Sequence, residues 1–391
     1  MSNHVGRGPR ALVCSTSLAE ATPSFAPLGD VTLLPETDIS THHLLNAHAL
    51  FTRSKVRVDA ALLSRTSVQF YGTATAGADH VDASWLEKQG IAWTSAPGCN
   101  ANSVAEYIIA ALLHHADAHQ LTLSGNTIGI IGAGHVGSRV AHLAQTLGLI
   151  PLLNDPPLFD QTRNPIYQPL DHLLANADIL TLHVPLVTDG PYPTLDLINH
   201  ETLSKLKPGA LFLNASRGEV VDETALAQAR ASGILSGLVL DVFKHEPAPA
   251  HALLNLTDLA TPHIAGYSYD GRLNGTLMLA DAYRTFLGLP PAPPLPEPPL
   301  IERELPPYPP RATLESALHL AVRTAYDIHA DHLAFKQPLA PSESLAQRFN
   351  HLRKHYPQRR EFHRYLLHFP PSAPWPPSIL AILARLGFHM A

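Results

Sequence analysis

Residues 127–137 read T-I-G-I-I-G-A-G-H-V-G, and this stretch decides the fold class. Its β-rich first half predicts a strand, and the G-x-G-x-x-G pattern that follows is typical of a strand turning into a helix. Gly132 permits the tight turn, Gly134 lets backbone amides approach a pyrophosphate, and Gly137 lets the helix pack close to the strand. The pattern therefore predicts a dinucleotide site. The cofactor contacts expected here are Gly132, Gly134, His135, Val136 and Gly137.

The acid that such a site requires is Asp155, 18 residues after Gly137 and at the end of a second predicted strand over 150–153. A carboxylate at the end of the second strand binds the diol of the adenosine ribose. It repels a 2′-phosphate, and the following Pro156 and Pro157 supply no compensating arginine. The sequence therefore favours NAD over NADP.

Short apolar runs alternate with helix-like segments on both sides of the glycine turn, and a helix is predicted over residues 104–115. The other strands are predicted at 11–14, 31–33, 49–52, 68–71, 91–93, 150–153, 179–183, 210–214, 237–240 and 259–261. This alternation is typical of parallel sheets with helices on both faces. The expected fold class is α/β, with two doubly wound Rossmann-like domains and a small C-terminal α+β domain.

A proline-rich stretch separates the last part of the chain, since eleven of the 21 residues from Pro290 to Pro310 are proline. Proline lacks a backbone donor, so we expect a stiff linker without regular helix or sheet. Residues 312–330 and 345–355 then have helical patterns, and 364–368 a strand-like one. The expected domains are a substrate-binding domain over 1–101, completed by about 267–289, a Rossmann domain over 102–266, the linker over 290–310, and the C-terminal domain over 311–391.

Composition restricts the function classes. The 391 residues carry a formal charge of −6, which gives no global attraction to nucleic acid or acidic membranes, so an anionic substrate must be held by a few local arginines. No run approaches the ~18 apolar residues of a membrane span, and the N-terminus does not resemble a signal peptide. Two distant cysteines, Cys14 and Cys99, provide no disulfide framework. We expect a soluble, cytoplasmic protein.

Histidine is abundant, with 24 residues, and His115 and His119 lie four apart on a predicted helix. Such a pair could ligate a metal ion, but no third ligand follows at a recognisable spacing. The sequence therefore gives no reason to expect a metal.

Three polar residues follow predicted strands, where ligands of such sheets gather. Arg217 comes after the strand at 210–214, Glu246 after that at 237–240, and His263 after that at 259–261. Oxidation of an alcohol requires a base, which His263 could be, and a carboxylate that orients the imidazole, which Glu246 could be. The planar guanidinium of Arg217 suits a substrate carboxylate. Each residue alone could equally be structural.

Residues 122–267 resemble the D-2-hydroxyacid dehydrogenase family. The motifs that carry the resemblance are G-A-G-H-V-G at 132–137, L-K-P-G-A-L-F-L-N-A-S-R-G-E-V-V-D at 206–222, L-D-V-F-K-H-E-P at 240–247 and P-H-I-A-G at 262–266. The resemblance places the family's catalytic arginine, glutamate and histidine on Arg217, Glu246 and His263. It also implies NAD contacts at Val184, Asp241 and Gly266.

Further motifs are similar to the 4-phosphoerythronate dehydrogenases of pyridoxal phosphate biosynthesis within that family. They are G-T-A-T-A-G-A-D-H-V-D at 72–82, A-P-G-C-N-A at 96–101, D-G-P-Y at 189–192, H-I-A-G-Y at 263–267 and L-R-K-H-Y-P-Q-R-R-E at 352–361. This likeness implies a phosphorylated 2-hydroxy acid as substrate and a homodimer formed through a C-terminal dimerisation domain. It implies substrate contacts at Ser54, Thr75 and Tyr267, the last near the far end of the substrate.

Arg53, beside Ser54, is our candidate for the phosphate. A phosphorylated acid carries about three negative charges, of which Arg217 offsets only part. Two other readings stay open. A dehydrogenase for 3-phosphoglycerate, glycerate or lactate would use the same three residues, and an NAD-sensing binding protein could share the fold without catalysis.

Overall fold

The computed structural model describes residues 10–293, 296–372 and 374–391. Residues 1–9, and residues 294 and 295 of the expected linker, lie outside the described residues. The chain forms two compact units. The first contains the chain up to Asn100 together with Tyr269–Pro298, and the second contains Ala101–Ser268 together with Pro299–Ala391. The domain boundaries expected from the sequence stay predictions.

The regular elements in the described ranges are as follows. The strands are β1 (Ala11–Ser15), β2 (Asp30–Leu34), β3 (Ala49–Thr52), β4 (Phe70–Thr73), β5 (Ala92–Thr94), β6 (Thr127–Ile131), β7 (Ile150–Asn154), β8 (Ile179–Leu182), β9 (Ala210–Asn214), β10 (Leu235–Leu240), β11 (Leu259–Ala260), β12 (Ile301–Glu304), β13 (Tyr365–His368) and β14 (His389–Met390). The helices are α1 (Ala21–Phe25), α2 (Thr41–Leu44), α3 (Ala60–Leu63), α4 (Ala83–Lys88), α5 (Ala101–His119), α6 (His135–Thr146), α7 (Pro156–Thr162), α8 (Leu170–Asn176), α9 (His200–Ser204), α10 (Glu223–Ala231), α11 (His251–Leu256), α12 (Tyr269–Phe286), α13 (Leu314–Ala325), α14 (Ile328–Lys336), α15 (Leu345–Lys354) and α16 (Pro377–Leu386). Short 3-10 turns lie at Ala26–Leu28, Gly218–Val220 and Phe362–Arg364.

The first unit is built on a five-stranded parallel sheet in the order β2-β1-β3-β4-β5. Successive residues of its strands point to opposite faces, so Leu12 and Phe51 enter one hydrophobic core while Val13 and Leu50 enter another. Helix α12 packs on α1 and β4. Burial of both faces explains why the strands read as continuous apolar runs.

The second unit is built on a six-stranded parallel sheet in the order β11-β10-β9-β8-β6-β7. Its two faces also belong to separate cores, with Ile130 and Leu213 in one and Ile131 and Phe212 in the other. The predicted α/β class with doubly wound parallel sheets is confirmed. The strand order reverses beside β6, which places a ligand crevice at the carboxyl end of that strand.

The C-terminal residues form helices α13–α16 and a three-stranded parallel sheet in the order β12-β13-β14, which confirms the predicted small mixed region. Its helices share the cores of the six-stranded sheet. Leu318 and Leu383 lie in one core with residues of α5 and α6, and Phe335 and Phe349 lie in the other. The C-terminal region is therefore part of the same folded unit as that sheet.

Two expectations for the C-terminal region are wrong. The proline-rich stretch was expected to contain no sheet, but β12 lies within it, because the six residues from Leu300 to Leu305 contain no proline and can pair with β13. The continuous helix expected over 312–330 is interrupted between α13 and α14. There the carboxylate of Asp327 accepts a hydrogen bond from the amide of Ala330 and so caps α14 instead of continuing α13.

Within the described ranges, none of the helices has the length and hydropathy that crossing a membrane would require.

Candidate active site

The glycine turn joins β6 to α6. Gly132 has a φ of +88°, and a β-carbon there would lie 2.6 Å from the carbonyl oxygen of His183. A β-carbon at Gly137 would lie 1.9 Å from the carbonyl oxygen of Gly132. In contrast, no atom lies within 4 Å of the corresponding position at Gly134, the N-cap of α6. The turn is closed toward the protein and open at the helix N-terminus, which fits a bound pyrophosphate.

Asp155 directly follows β7, which pairs with β6. Its Oδ2 accepts a hydrogen bond from the amide of Ala133 at 2.8 Å, and its Oδ1 accepts one from the amide of Leu158 at 3.0 Å. The carboxylate is therefore held against the glycine turn while it caps α7. This is the location that a ribose-binding acid requires, although that role stays a prediction.

The end of β8 also faces the glycine turn. The Cγ1 atom of Val184 would lie 2.8 Å from a β-carbon at Gly132. The preceding His183 makes a 3.0 Å hydrogen bond between its Nε2 and the hydroxyl of Thr181, and loss of hydration lowers the pKa of its imidazole to about 3. His183 is thus a neutral ring at the crevice. Sequence reasoning missed it, although its place at a strand end was a usable signal.

Arg217 lies in the loop after β9. The side-chain amide of Asn214 donates to the Arg217 carbonyl oxygen at 2.9 Å, and Nη1 of Arg217 donates to the carbonyl oxygen of Ser216 at 2.8 Å. A β-carbon at the next residue, Gly218, would lie 1.9 Å from the carbonyl carbon of Phe243. The glycine therefore lets the Arg217 loop pack directly against the loop after β10, which carries Glu246.

Glu246 and His263 form a hydrogen-bonded pair at the ends of β10 and β11. Nδ1 of His263 lies 2.8 Å from Oε2 of Glu246, and Oε1 of Glu246 accepts from the amide of Phe243 at 3.1 Å. Burial alone would raise the pKa of the Glu246 carboxyl, but the facing imidazole, the two hydrogen bonds and the charge of Arg353 outweigh it and lower that pKa. An ionised Glu246 can accept a hydrogen bond from the Nδ1–H group of His263. The Nε2 atom of His263 can then exchange a proton with a ligand.

The loop that carries His263 is fixed by Asp241. One carboxylate oxygen accepts from the hydroxyl of Thr261 at 2.6 Å and from the amide of Ile264 at 2.8 Å, and the other accepts from the amide of Ala265 at 2.9 Å. Burial raises the pKa of this carboxyl. His263 has a φ of +56°, which a non-glycine residue adopts only when its surroundings impose it. Asp241 therefore positions the loop, and its expected contact with NAD stays a prediction.

Residues 353–361 of the C-terminal region hold the other side of the same loop. Nε and Nη2 of Arg353 donate to the hydroxyl of Tyr267 at 3.1 and 2.8 Å. Arg359 donates to the carbonyl oxygen of Ala265, and the Ser268 hydroxyl donates to Glu361 at 2.9 Å. Sequence reasoning used this segment only as a sign of a C-terminal domain. The overlooked signal was the presence of Arg353 and Arg359 in a chain expected to bind an anionic substrate.

The substrate contacts expected at the N-terminal end lie in the first unit. The amide of Arg53 donates to Oε1 of Glu36 at 3.1 Å, Ser54 is exposed, and the hydroxyl of Thr75 donates to the carbonyl oxygen of Gly77 at 2.7 Å. Thr75 is also hydrogen-bonded to the Thr73 hydroxyl at 2.8 Å. In the second unit the structure pairs Glu246 with His263 and packs the Arg217 loop against the loop that carries Glu246, while Gly266 and Tyr267 lie on the His263 loop.

One possible metal-ligand group lies in the second unit, where atoms of Glu106, Glu361 and His363 come within 4.8 Å of one another. Both carboxylates already accept hydrogen bonds, Glu106 from the amide of Phe362 at 2.9 Å and Glu361 from the hydroxyl of Ser103 at 2.7 Å. Burial and the charge of Glu361 raise the pKa of Glu106 well above its usual range. The group therefore reads as a structural polar network.

Comparison with known proteins agrees with this geometry. Residues 105–265 match the family model of the D-isomer specific 2-hydroxyacid dehydrogenase NAD binding domain, which confirms the expected cofactor, and residues 295–387 match a domain of unknown function, DUF3410. An erythronate-4-phosphate dehydrogenase of Yersinia enterocolitica is 39% identical over 381 residues, which cover 96% of this chain and 98% of the relative. One of Edwardsiella ictaluri is 41% identical, over 90% of this chain and 92% of the relative.

Solved structures show the same fold over part of the chain. The D-lactate dehydrogenase of Aquifex aeolicus, complexed with NAD and lactic acid, is 25% identical with a TM-score of 0.57, and the match covers 71% of this chain and 95% of that one. The NAD-bound 3-phosphoglycerate dehydrogenase of Entamoeba histolytica is 22% identical with a TM-score of 0.62, over 72% of this chain and 96% of that one.

Proposed function

Because the chain belongs to the erythronate-4-phosphate dehydrogenase family, we propose that it oxidises the 2-hydroxyl group of 4-phospho-D-erythronate with NAD. The product is 2-oxo-3-hydroxy-4-phosphobutanoate, and the reaction belongs to pyridoxal 5′-phosphate biosynthesis. The observation that carries the proposal is the 2.8 Å pair of His263 and Glu246, at the same edge of the parallel sheet as the glycine turn, in a chain that spans 98% of a relative with this name.

His263 is the proposed base. The Nδ1–H group of His263 donates a hydrogen bond to Glu246, which leaves a lone pair on Nε2. Nε2 can then accept the proton of the substrate hydroxyl as the C2–O bond becomes a carbonyl. The charge that develops on the imidazole is offset by the ionised Glu246, whose lowered pKa keeps it negative at neutral pH. The glycine turn and Asp155 would hold NAD, which would supply the acceptor for the hydride from C2. In the reverse direction His263 returns the proton.

The substrate's anionic groups are assigned to arginines. Arg217, fixed after β9 beside the Glu246 loop, is proposed to bind the carboxylate, and Arg53 to bind the phosphate, with Ser54, Thr75 and Tyr267 as further contacts. Replacing Arg53 by alanine should lower kcat/KM for 4-phosphoerythronate more than for erythronate. Equal losses on the two substrates would remove Arg53 from the phosphate site.

The decisive test of the function is NADH production by the purified full chain with 4-phosphoerythronate, erythronate, 3-phosphoglycerate and D-lactate. We expect 4-phosphoerythronate to give the highest kcat/KM. A preference for 3-phosphoglycerate or D-lactate would assign the chain to another branch of the family. NAD binding without turnover of any of the four acids would favour a sensing role.

We also propose that the protein is a cytoplasmic homodimer whose subunits meet through the C-terminal region. The two cysteines support the location, since Cys14 and Cys99 are both buried and neither forms a disulfide, which suits a reducing compartment. Burial also raises the pKa of Cys14 to about 12. Sedimentation of the full chain should give twice the mass of one chain. A single-chain mass at micromolar concentration would exclude the dimer.

A further inference from the structure

Arg353 is a basic residue whose charge acts on Glu246 and to which the proposed reaction has not yet given a role. It lies in the last turn of α15, whose first turn is fixed by a capping box between Ser344 and Gln347. One turn before Arg353, the fully buried Phe349 anchors the helix in the hydrophobic core beside Phe335. The backbone of Arg353 is therefore held rigidly, although it is distant in sequence from every residue of the site.

The guanidinium of Arg353 is held between two aromatic rings. Its central carbon lies 5.6 Å from the ring centre of Phe349 and 5.3 Å from that of Tyr267. Both distances are within the range of cation–π contacts. The stacking leaves the edge of the guanidinium, which carries its N–H groups, to make hydrogen bonds. Arg353 is thus oriented before any substrate binds.

The hydrogen bonds of Arg353 to Tyr267 orient its guanidinium. Nε and Nη2 of Arg353 both donate to the phenol oxygen of Tyr267, at 3.1 and 2.8 Å. Two of the guanidinium nitrogens are thereby fixed in direction, and the third, Nη1, can donate to a further group. A charged N–H donor that is held in this way suits an anionic acceptor.

The charge of Arg353 is not neutralised by an ion pair. Among the described residues, no carboxylate lies within salt-bridge distance of Arg353, and its Nη1 has no hydrogen-bond partner. Its positive charge nevertheless contributes to the lowered pKa of Glu246, which places it within electrostatic reach of the catalytic pair. A partly buried guanidinium with this pattern is suited to binding an anion from outside the chain.

We propose that Arg353, acting with Tyr267, binds the phosphate group of the substrate and sets the preference for a phosphorylated over an unphosphorylated 2-hydroxy acid. The inference rests on the proposed function. The substrate carboxylate is assigned to Arg217, so the anion that remains is the phosphate, and a phosphate dianion can accept hydrogen bonds from more than one arginine as well as from a hydroxyl.

The test measures kcat and KM for 4-phosphoerythronate and for erythronate in the full-length wild type and in the Arg353→Ala variant. Loss of a charge-assisted contact should lower kcat/KM for the phosphorylated acid on the order of 30- to 100-fold, mainly through KM, and for erythronate by less than about threefold. Equal losses on the two substrates would overturn the proposal. The matched control is Lys354→Ala, which removes the adjacent exposed charge on the same helix and should change neither value.

Arg353→Lys covers the case in which the alanine variant fails to fold. Lysine keeps the charge and most of the apolar stem but not the paired hydrogen bonds to Tyr267, so we expect a loss of about tenfold on 4-phosphoerythronate only. NAD affinity, measured by titration, should be the same in all variants. A lysine variant that loses both substrates equally would contradict the proposal, whereas a wild type that does not prefer 4-phosphoerythronate would contradict the proposed function itself.

Discussion

At the scale of single residues, the proposed mechanism gives two roles to the hydrogen-bonded pair of His263 and Glu246: His263 moves a proton, and Glu246 orients the imidazole. The residues assigned to dinucleotide binding include Asp241 and Gly266, which lie near His263, but they do not include the His263 imidazole itself. Loss of the imidazole should therefore affect turnover without affecting cofactor binding.

His263→Asn should lower kcat by roughly 10² to 10⁴, the usual contribution of a general acid or base, while the Kd for NAD stays nearly constant. Steady-state kinetics with 4-phosphoerythronate and an NAD titration measure the two quantities. The control is His172→Asn, which makes the same change at an exposed position of α8. Near-normal turnover of the His263 variant would mean that the base lies elsewhere.

Glu246→Gln should shift the pH dependence of both directions. The lowered pKa of Glu246 means that glutamine removes a full negative charge at neutral pH, and that charge stabilises the protonated imidazole. Without it the imidazole is neutral over a wider pH range. Oxidation needs the neutral ring, so the acid limb of the oxidation profile should move to lower pH. Reduction needs the protonated ring, so the reduction rate at pH 7 should fall more than the oxidation rate. Profiles of kcat/KM in both directions test this, and profiles that do not move would exclude Glu246 as the partner.

The three candidate catalytic residues could be proposed from the sequence because each follows a predicted strand, but the contacts that hold them could not be predicted. Arg217, Glu246 and His263 were expected at strand ends, and the 2.8 Å pairing of the last two agrees with their expected roles. The contact between Arg353 and Tyr267 joins residues 86 positions apart, so no local pattern reveals it. Site assignments that depend on long-range packing required the fold.

At the scale of secondary-structure elements, the glycine turn and the loop after β7 are joined by the hydrogen bond from the amide of Ala133 to the carboxylate of Asp155.

The strand β6 was predicted with its observed bounds, Thr127–Ile131, because alternating apolar residues and a glycine turn are both local signals. The break between α13 and α14 was missed because an aspartate at position 327 is compatible both with a continued helix α13 and with the N-cap of α14 that it forms. The strand β12 was missed because its pairing with β13 is distant in sequence.

Asp155→Ala should weaken NAD binding and reduce the discrimination against NADP, because it removes both the ribose acceptor and the charge that repels a 2′-phosphate. The substitution also removes the cap of α7. Asp155→Asn separates the two effects, since asparagine can still cap the helix but carries no charge. Asp222→Ala removes the cap of α10 as a control for lost helix stability. Titrations with both dinucleotides measure the outcome, and unchanged affinities in the Asp155 variants would refute the assignment.

At the scale of the whole molecule, the C-terminal region and the six-stranded sheet share their hydrophobic cores. Leu383 of α16 is fully buried in a core that also contains Leu143 of α6, and α16 packs directly on α6. Glu315 of α13 accepts a hydrogen bond from the amide of Leu123 at 2.8 Å, just before β6. The C-terminal region therefore supports the helix that follows the glycine turn, in addition to any role in dimerisation.

Leu383→Ala should destabilise this shared unit by about 2 to 5 kcal/mol, the usual cost of a large-to-small substitution in a well-packed core. Because α16 supports α6, NAD binding should be lost at the same urea concentration as the secondary structure, in one transition. The matched control is Leu333→Ala on α14, where 54% of the leucine is exposed and the change should be within about 0.5 kcal/mol. The opposite result would be a Leu383 variant whose C-terminal helices unfold at a lower urea concentration than the one that abolishes NAD binding. The C-terminal region would then be an independent domain, and the shared cores would not make it unfold together with the six-stranded sheet.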